Sequence, residues 1–292
     1  MDILPQLIVN SIIAGSIYSL VALGFNLIYD TTKFFNLAHG VLAAVGGYAV
    51  FFFYKTLGLN LIFSVVIGVL LAGLVGYILD KLVFLPLRMR KASDMVLLVA
   101  SLGSFTAIQA IIAMIFTSQF QTLSQGDVGQ NVYQLGPPAG GAVITQTQFI
   151  ILASALIIMV GLVWLLKSTL FGKAVQAISD DEEVAKIVGI NTNKIIGYVF
   201  FIGSAIAGLA GILVGFDTGI EPTMGMSLLL KGVIGAIIGG VGNIYGGVLG
   251  SFLLGFVENF GIWKISGEWK DAIAFILLIL FLLFRPKGIL RK

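Results

Sequence analysis

Few residues in this sequence can do chemistry, and most of them are neutral. Asn26, Asn36, His39, Ser101, Ser104, Gln109, Ser204, Glu258 and Asn259 fall within or at the ends of long apolar runs. Polar groups in such runs need partners and often mark a path through a membrane. Asn36, His39, Ser101, Ser104 and Gln109 offer amides, hydroxyls and one imidazole, which suit a neutral or zwitterionic solute. His39 is the only histidine and reads first as an interhelical hydrogen-bond partner. Cysteine is absent, so no disulfide, thiolate metal site or thiol nucleophile is available. No apolar run carries a central pair of carboxylates, which leaves a proton relay or sodium site little to work with. Glu258, near the end of its run and close to Trp263, is expected to be solvated, and Lys231 to snorkel outward. Nucleophile elbow, metalloprotease helix and Walker A patterns are missing. The chain is therefore read as no enzyme, with no metal and no cofactor.

These residues must be positioned by membrane-spanning helices. The chain has 292 residues, 58% hydrophobic and 11% charged, with a mean hydropathy of +1.06; soluble domains carry about 25% charge. It is read as one integral membrane domain over 1–292, all-α, with eight or nine transmembrane helices and nothing that calls for nucleic acid. A span needs about 20 apolar residues. Runs occur at about 4–29, 36–54, 61–84, 95–117, 148–166, 195–216, 226–262 and 271–284. As a single helix, 226–262 would reach about 55 Å against a hydrocarbon core of about 30 Å. It must break, and Gly239-Gly240-Val241-Gly242-Asn243 with Gly246-Gly247 is the place. Met1-Asp2 opens the chain with no basic residue ahead of the first run, so that run is expected to be a retained span.

Lys and Arg choose the orientation. Clusters at Lys81/Arg88/Arg90/Lys91, at Lys167/Lys173/Lys186/Lys194 and at Arg285/Lys287/Arg291/Lys292 are assigned to the cytoplasm. The loop 118–147 has no Lys or Arg and is assigned outside. It contains Asp127, Gly136-Pro137-Pro138 and Gly140-Gly141, and is either a cover for the external mouth or a plain surface loop. An external N-terminus and internal C-terminus require an odd number of crossings, which favours nine. Lys264 and Lys270 fall outside in this scheme.

Residues 167–194 are the longest charge-bearing interval. Consecutive carboxylates at Asp180, Asp181, Glu182 and Glu183 keep it out of hydrocarbon. Ser179 with Glu182 reads as a capping box and Gly189 as a stop, giving a short helix at about 180–188 after a helical turn at 172–178. Val184, Ile187 and Val188 form an apolar stripe; Asp181, Glu182 and Lys186 face water. Two readings are open: a docking element, or a solvated loop that joins two spans.

Two spans also resemble each other. Ile67-Gly68, Ala72-Gly73-Leu74 and Gly76 match Ile202-Gly203, Ala207-Gly208-Leu209 and Gly211 at an offset of 135. Gly68, Ala72 and Gly76, and Gly203, Ala207, Gly211 and Gly215, put small residues at every fourth position, where helices approach closely. Two spans lie between the pair, so the two run in opposite directions and an inverted repeat fits; so does chance similarity of glycine-rich apolar sequence.

Phe35-Asn36-Leu37-Ala38-His39-Gly40 resembles a signature of the permease subunits of branched-chain amino acid ABC importers, the LivH-type family. So do Gly172 to Asn191 followed by Phe200 to Gly215, then Gly239-Gly240-Val241-Gly242-Asn243-Ile244 with Gly246-Gly247, and the tail Arg285-Pro286-Lys287-Gly288-Ile289-Leu290. The order is kept over nearly the whole chain. Urea, short-amide and neutral amino acid permeases resemble it almost as well. Val41 stands where many members have an acidic residue, which bears on substrate choice. The resemblance implies a multi-pass inner-membrane permease, a second permease subunit (identical or not), two cytoplasmic ATPases and an extracytoplasmic binding protein. It also implies that 172–191 is a cytoplasmic coupling helix, with Gly172, Ala177, Asp180, Asp181, Val184, Ala185, Ile187, Val188, Gly189 and Ile190 facing an ATPase. Weak direct affinity is expected, with selectivity set mainly by the binding protein. An ion-coupled transporter or channel is the competing class, and would need buried ionisable groups.

Overall fold

A computed structural model describes residues 3–124, 131–135 and 141–290. Asp127, Gly136, Pro137, Pro138 and Gly140 of the long loop, and Arg291 and Lys292 of the tail, lie outside the described residues. Among the described residues, six helices are long and apolar enough to cross a membrane. Five of them are α1 (Leu4–Thr32), α5 (Asp94–Phe116), α6 (Gln146–Ser168), α9 (Thr192–Asp217) and α11 (Ile244–Gly261). The sixth runs continuously over Leu61–Met89: α3 (Leu61–Leu79), a π-helical turn at Asp80–Phe84, then α4 (Leu85–Met89). Shorter apolar helices are α2 (Ala38–Val50), extended by a π-helical turn at Phe51–Thr56, α10 (Met224–Gly239) and α12 (Lys270–Phe284). The helices α7 (Leu170–Asp180) and α8 (Glu182–Ile187) join α6 to α9.

The fold is mostly helical but not wholly so. In the long loop, β1 (Val132–Leu135) pairs antiparallel with β2 (Ala142–Thr145), Tyr133 opposite Ile144. Ala142 and Ile144 turn inward while Val143 is exposed, the alternation of a half-buried strand. Gln6 completes it from α1: its amide donates to the Val143 carbonyl at 3.1 Å and its Oε1 accepts the Val143 N–H at 2.8 Å.

Helix starts carry the caps their sequences encode. Asn60 accepts the Ile62 N–H, Asn191 the Lys194 N–H and Asn243 the Gly246 N–H. Thr145 and Gln148 form a reciprocal capping box at α6.

The run 226–262 breaks where glycine permits it. Gly240 (φ 111°) and Gly242 (φ 81°) adopt backbone conformations that side chains resist. Asn26 of α1 stitches the break, donating to the Asn243 carbonyl and accepting the Gly242 N–H, each at 3.2 Å. The tail finishes it: the Ile289 and Leu290 N–H groups donate to the Ile238 and Gly239 carbonyls at 2.9 and 3.0 Å. Free carbonyls at the end of α10 are thereby satisfied.

The helices sort into an interior and a periphery. Of the six long spans, α1 and α9 are the most enclosed, with 72% and 67% of their apolar windows buried; α5 and α6 have 22% each. Outward side chains such as Ile62, Met114 and Phe284 are over two-thirds exposed. Large apolar groups presented this way belong against lipid.

The small-residue stripe of α3 packs antiparallel on α9. A Cβ on Gly68 would press on Ile212, one on Gly76 on Ser204, and Ala72 fills the place a Cβ on Gly208 would take. The α9 stripe of Gly203, Ala207, Gly211 and Gly215 points elsewhere. Gly203 lies on Gly24 and Ile28 of α1, Gly211 on Ala43 of α2, Gly215 on Leu123 and Ile220, and Ala207 is fully buried.

Candidate functional site

The interval 167–194 is built as two welded corners. Thr169 separates α6 from α7 and caps it, accepting the Gly172 N–H at 3.0 Å. Gln176 donates to the Leu166 carbonyl at 2.9 Å, and Gly172 sits so close to Leu165 and Leu166 that no Cβ would fit. Val175 and Ile178 are buried, so α7 is a full helix where one turn was expected. The next helix starts on Asp181, not Ser179. Extended at φ −158°, Asp181 accepts the Glu183 and Val184 N–H groups at 2.8 and 3.0 Å. Ser179 is buried inside α7, which removes it as a cap. Gly189 (φ 89°) ends the element.

α8 is tied in turn to α9. Ala185 is buried and its carbonyl accepts the Ile190 N–H at 3.0 Å. Thr192 donates to Glu182 at 3.2 Å, and Glu182 pairs with Lys186 at 2.7 Å. What remains outward is apolar: Val184 is 54% exposed, Ile187 83% and Val188 68%. Asp180, Asp181 and Gly189 are exposed beside them, Ala177 and Ile190 half-buried, Gly172 buried.

Of the polar residues within the runs, three gather at the start of α2. Asn36 accepts the Ala38 N–H at 3.1 Å. Ser101 accepts the Leu37 N–H at 3.0 Å and donates to the Leu98 carbonyl at 2.7 Å. The fully buried His39 ring lies where Gly24 leaves room, near Gly203, with Phe25 edge-on at 6.4 Å; neither ring nitrogen hydrogen-bonds a described residue, so it is not the interhelical hydrogen-bond partner expected. Ser104 and Gln109 sit half-buried on α5, Ser104 donating to the Ala100 carbonyl.

Two charged clusters lie where solvated or neutral groups were expected. Glu258 is fully buried rather than solvated: Tyr18 donates to it at 2.7 Å, and Lys231 and Lys270 approach at 3.7 and 3.8 Å. Lys231 does not snorkel free; it also meets Asp271 at 3.2 Å and lies 5.5 Å over the Tyr18 ring. The clue was available in opposite charges on the two arms of a run that had to fold back. At the other end, Asp80 is fully buried by its π-helical turn and held by Arg88 at 2.6 Å and Lys81 at 3.7 Å. Lys81 also donates to the Asn193 carbonyl at 2.9 Å, tying α3 to the start of α9.

Beside the Glu258 cluster, α1, α6, α9, α10, α11 and α12 enclose an open cavity of about 440 Å³. Asp217, Lys231, Lys270, Asn10, Gln148 and Asn259 line it, with Ile13, Ile17 and Leu228. It lies at the end of the bundle away from α7 and α8, since it meets the C-terminal end of α9 and the N-terminal ends of α1 and α6.

Known proteins share this plan. The family described as branched-chain amino acid transport system / permease component matches residues 7–282. The chain is 32% identical to the high-affinity branched-chain amino acid transport system permease protein BraD of Pseudomonas aeruginosa, over 98% of this chain and 95% of that protein. It is 30% identical to the corresponding protein LivH of Escherichia coli over the same shares. The probable permease LivH of Methanocaldococcus jannaschii is 28% identical over 96% and 90%. Among solved structures, PsaBC from Streptococcus pneumoniae in complex with Fab contains a chain with the same fold at a TM-score of 0.50 and 15% identity, covering 98% of this chain and 93% of that one. A match this complete, over helices whose breaks, caps and tail meet in space, makes this chain a member of the branched-chain amino acid permease family.

Proposed function

We propose that this chain is the transmembrane subunit of an ABC importer in the cytoplasmic membrane, moving branched-chain or other neutral amino acids by ATP-driven alternating access. The observation that carries the reading is the outward stripe of Val184, Ile187 and Val188 on a helix fixed to α9. Three large apolar groups in water beside Asp180 and Asp181 describe a face made for another protein. The partners are a second permease subunit, two cytoplasmic ATPases and an extracytoplasmic binding protein. Hydrolysis belongs to the ATPases.

Counting α2 with its π-helical turn, α10 and α12 as crossings besides the six long spans gives nine. Lys81, Arg88, Lys167, Lys173, Lys194 and Lys287 then share the cytoplasmic end with α7 and α8. Lys270 stays outside because Glu258 and Asp271 hold it there.

Force from the ATPases would reach the bundle unevenly. α9 is locked among α1, α2 and α3, whereas α6 has a gap of about 380 Å³ toward α9 and one of about 250 Å³ toward α1 and α11. α6 is therefore the helix that tilts, and α9 the one it tilts against.

Replacing Val184, Ile187 and Val188 together by Asp tests the reading. The variant inserts, because all three side chains are exposed. Transport falls to background while the ATPases, if still bound, hydrolyse without regard to substrate. Normal uptake by this variant would refute the proposal.

A further inference from the structure

We propose that the 440 Å³ cavity beside Lys231 is a binding site for a small zwitterion with an aliphatic substituent, with its carboxylate toward Lys231 and Lys270 and its ammonium toward Asp217. The proposal rests on the importer reading above and places its cargo within this chain. The volume falls in the usual range for small-molecule sites.

The two walls carry opposite charge. On one, Lys231 and Lys270 share the single buried carboxylate of Glu258 at 3.7 and 3.8 Å. A committed ammonium–carboxylate hydrogen bond is about 2.7–2.9 Å, so neither lysine has spent its donors on Glu258. The second partner of Lys231, Asp271, is 67% exposed, where an ion pair is weak. Donors therefore remain for a ligand carboxylate. Tyr18 fixes the arrangement from behind by donating to Glu258.

On the other wall, Asp217 is the last residue of α9. The C-terminal end of a helix is its negative end and disfavours a carboxylate unless a cation is near. Gln148 gives Asp217 a hydrogen bond, but among the described residues no Lys or Arg pairs with it. A ligand ammonium would supply the missing charge. Between the walls, Ile13, Ile17 and Leu228 give an aliphatic side chain a surface to cover.

The test uses the full chain with its co-purifying partners in nanodiscs, without a binding protein, and reads saturation-transfer NMR from L-leucine. 4-Methylpentanoate, which lacks the ammonium, and isoamylamine, which lacks the carboxylate, serve as competitors. Leucine should give a saturable signal, with each analogue about tenfold weaker or worse, as loss of one charged hydrogen bond implies. Asp217→Asn keeps the Gln148 partner and should abolish the preference for leucine over 4-methylpentanoate. The Lys231→Gln/Lys270→Gln/Glu258→Gln variant removes both lysines together with the carboxylate they share, leaves no lone buried charge and should abolish the preference over isoamylamine. Unchanged preferences in both variants would overturn the site. So would a leucine signal seen in phosphatidylglycerol nanodiscs but lost in phosphatidylethanolamine ones, which would give the cavity to a lipid headgroup. Leucine uptake by the wild-type importer is measured in parallel. Intact uptake with no NMR signal removes this site alone; absence of both removes the importer reading with it.

Discussion

Lys231 and Glu258 show how strongly single residues depend on their partners here. Glu258 is fully buried, and removing one partner of a buried pair costs about 3–5 kcal/mol. Lys231→Met leaves Glu258 with Tyr18 at 2.7 Å and Lys270 at 3.8 Å, so it is expected to destabilise the detergent-purified chain by less than that, about 1–3 kcal/mol, and adding Glu258→Gln to recover most of it. Thermal unfolding measures both, and equal losses would contradict the pairing. Asn26 is the second such residue, since it joins α1 to two consecutive residues of the α10–α11 break. Asn26→Leu strands the Gly242 N–H, while the Asn243 carbonyl keeps the Gly247 N–H at 2.8 Å. A loss of about 1–3 kcal/mol is expected in the same assay. The role of Asn26 was not legible from the sequence, and that of Glu258 only through the opposite charge of Lys231 on the other arm of a run that had to fold back. Asn26 and Glu258 stand out there as polar groups in apolar runs, but burial depends on which helices converge, and nothing local encodes that.

At the scale of elements, legibility followed the strength of the local physics. The break after Gly239 had to exist because the run exceeds the membrane thickness, and its glycines left one place for it. The cap of α8 was less determined: Ser179 and Asp181 both qualify, and packing of α7 through Val175 and Ile178 draws Ser179 inside and leaves Asp181 free to cap. The small-residue stripes announced close approach without naming partners. The α3 stripe meets Ser204, Gly208 and Ile212, while the α9 stripe serves α1 and α2. The contrast between α6 and α9 is a prediction at this scale. Absence of native cysteine allows clean spin labels at Val160 on α6, Tyr198 on α9 and Ile78 on α3, all exposed. Adding nucleotide to the assembled importer should change the 160–78 distance by several Å, as helix shifts in such switches do, and leave 198–78 unchanged. Movement of the α9 label instead would reverse the assignment.

For the molecule as a whole, the charge pattern and the fold agree on two unlike ends. One end holds α7, α8, the Asp80 cluster and the tail folded onto Gly239. The other holds the β1–β2 hairpin and the cavity with Lys231 and Asp217. In the proposed importer, substrate belongs to the second end and force to the first, with α6 and α9 between them. The account therefore depends most on what α8 touches. A photo-crosslinking amino acid in place of Ile187, 83% exposed, answers this in intact cells. The account predicts a single crosslink to a cytoplasmic ATPase subunit. Crosslinking to an extracytoplasmic protein, or to none in a cell that transports normally, would contradict it.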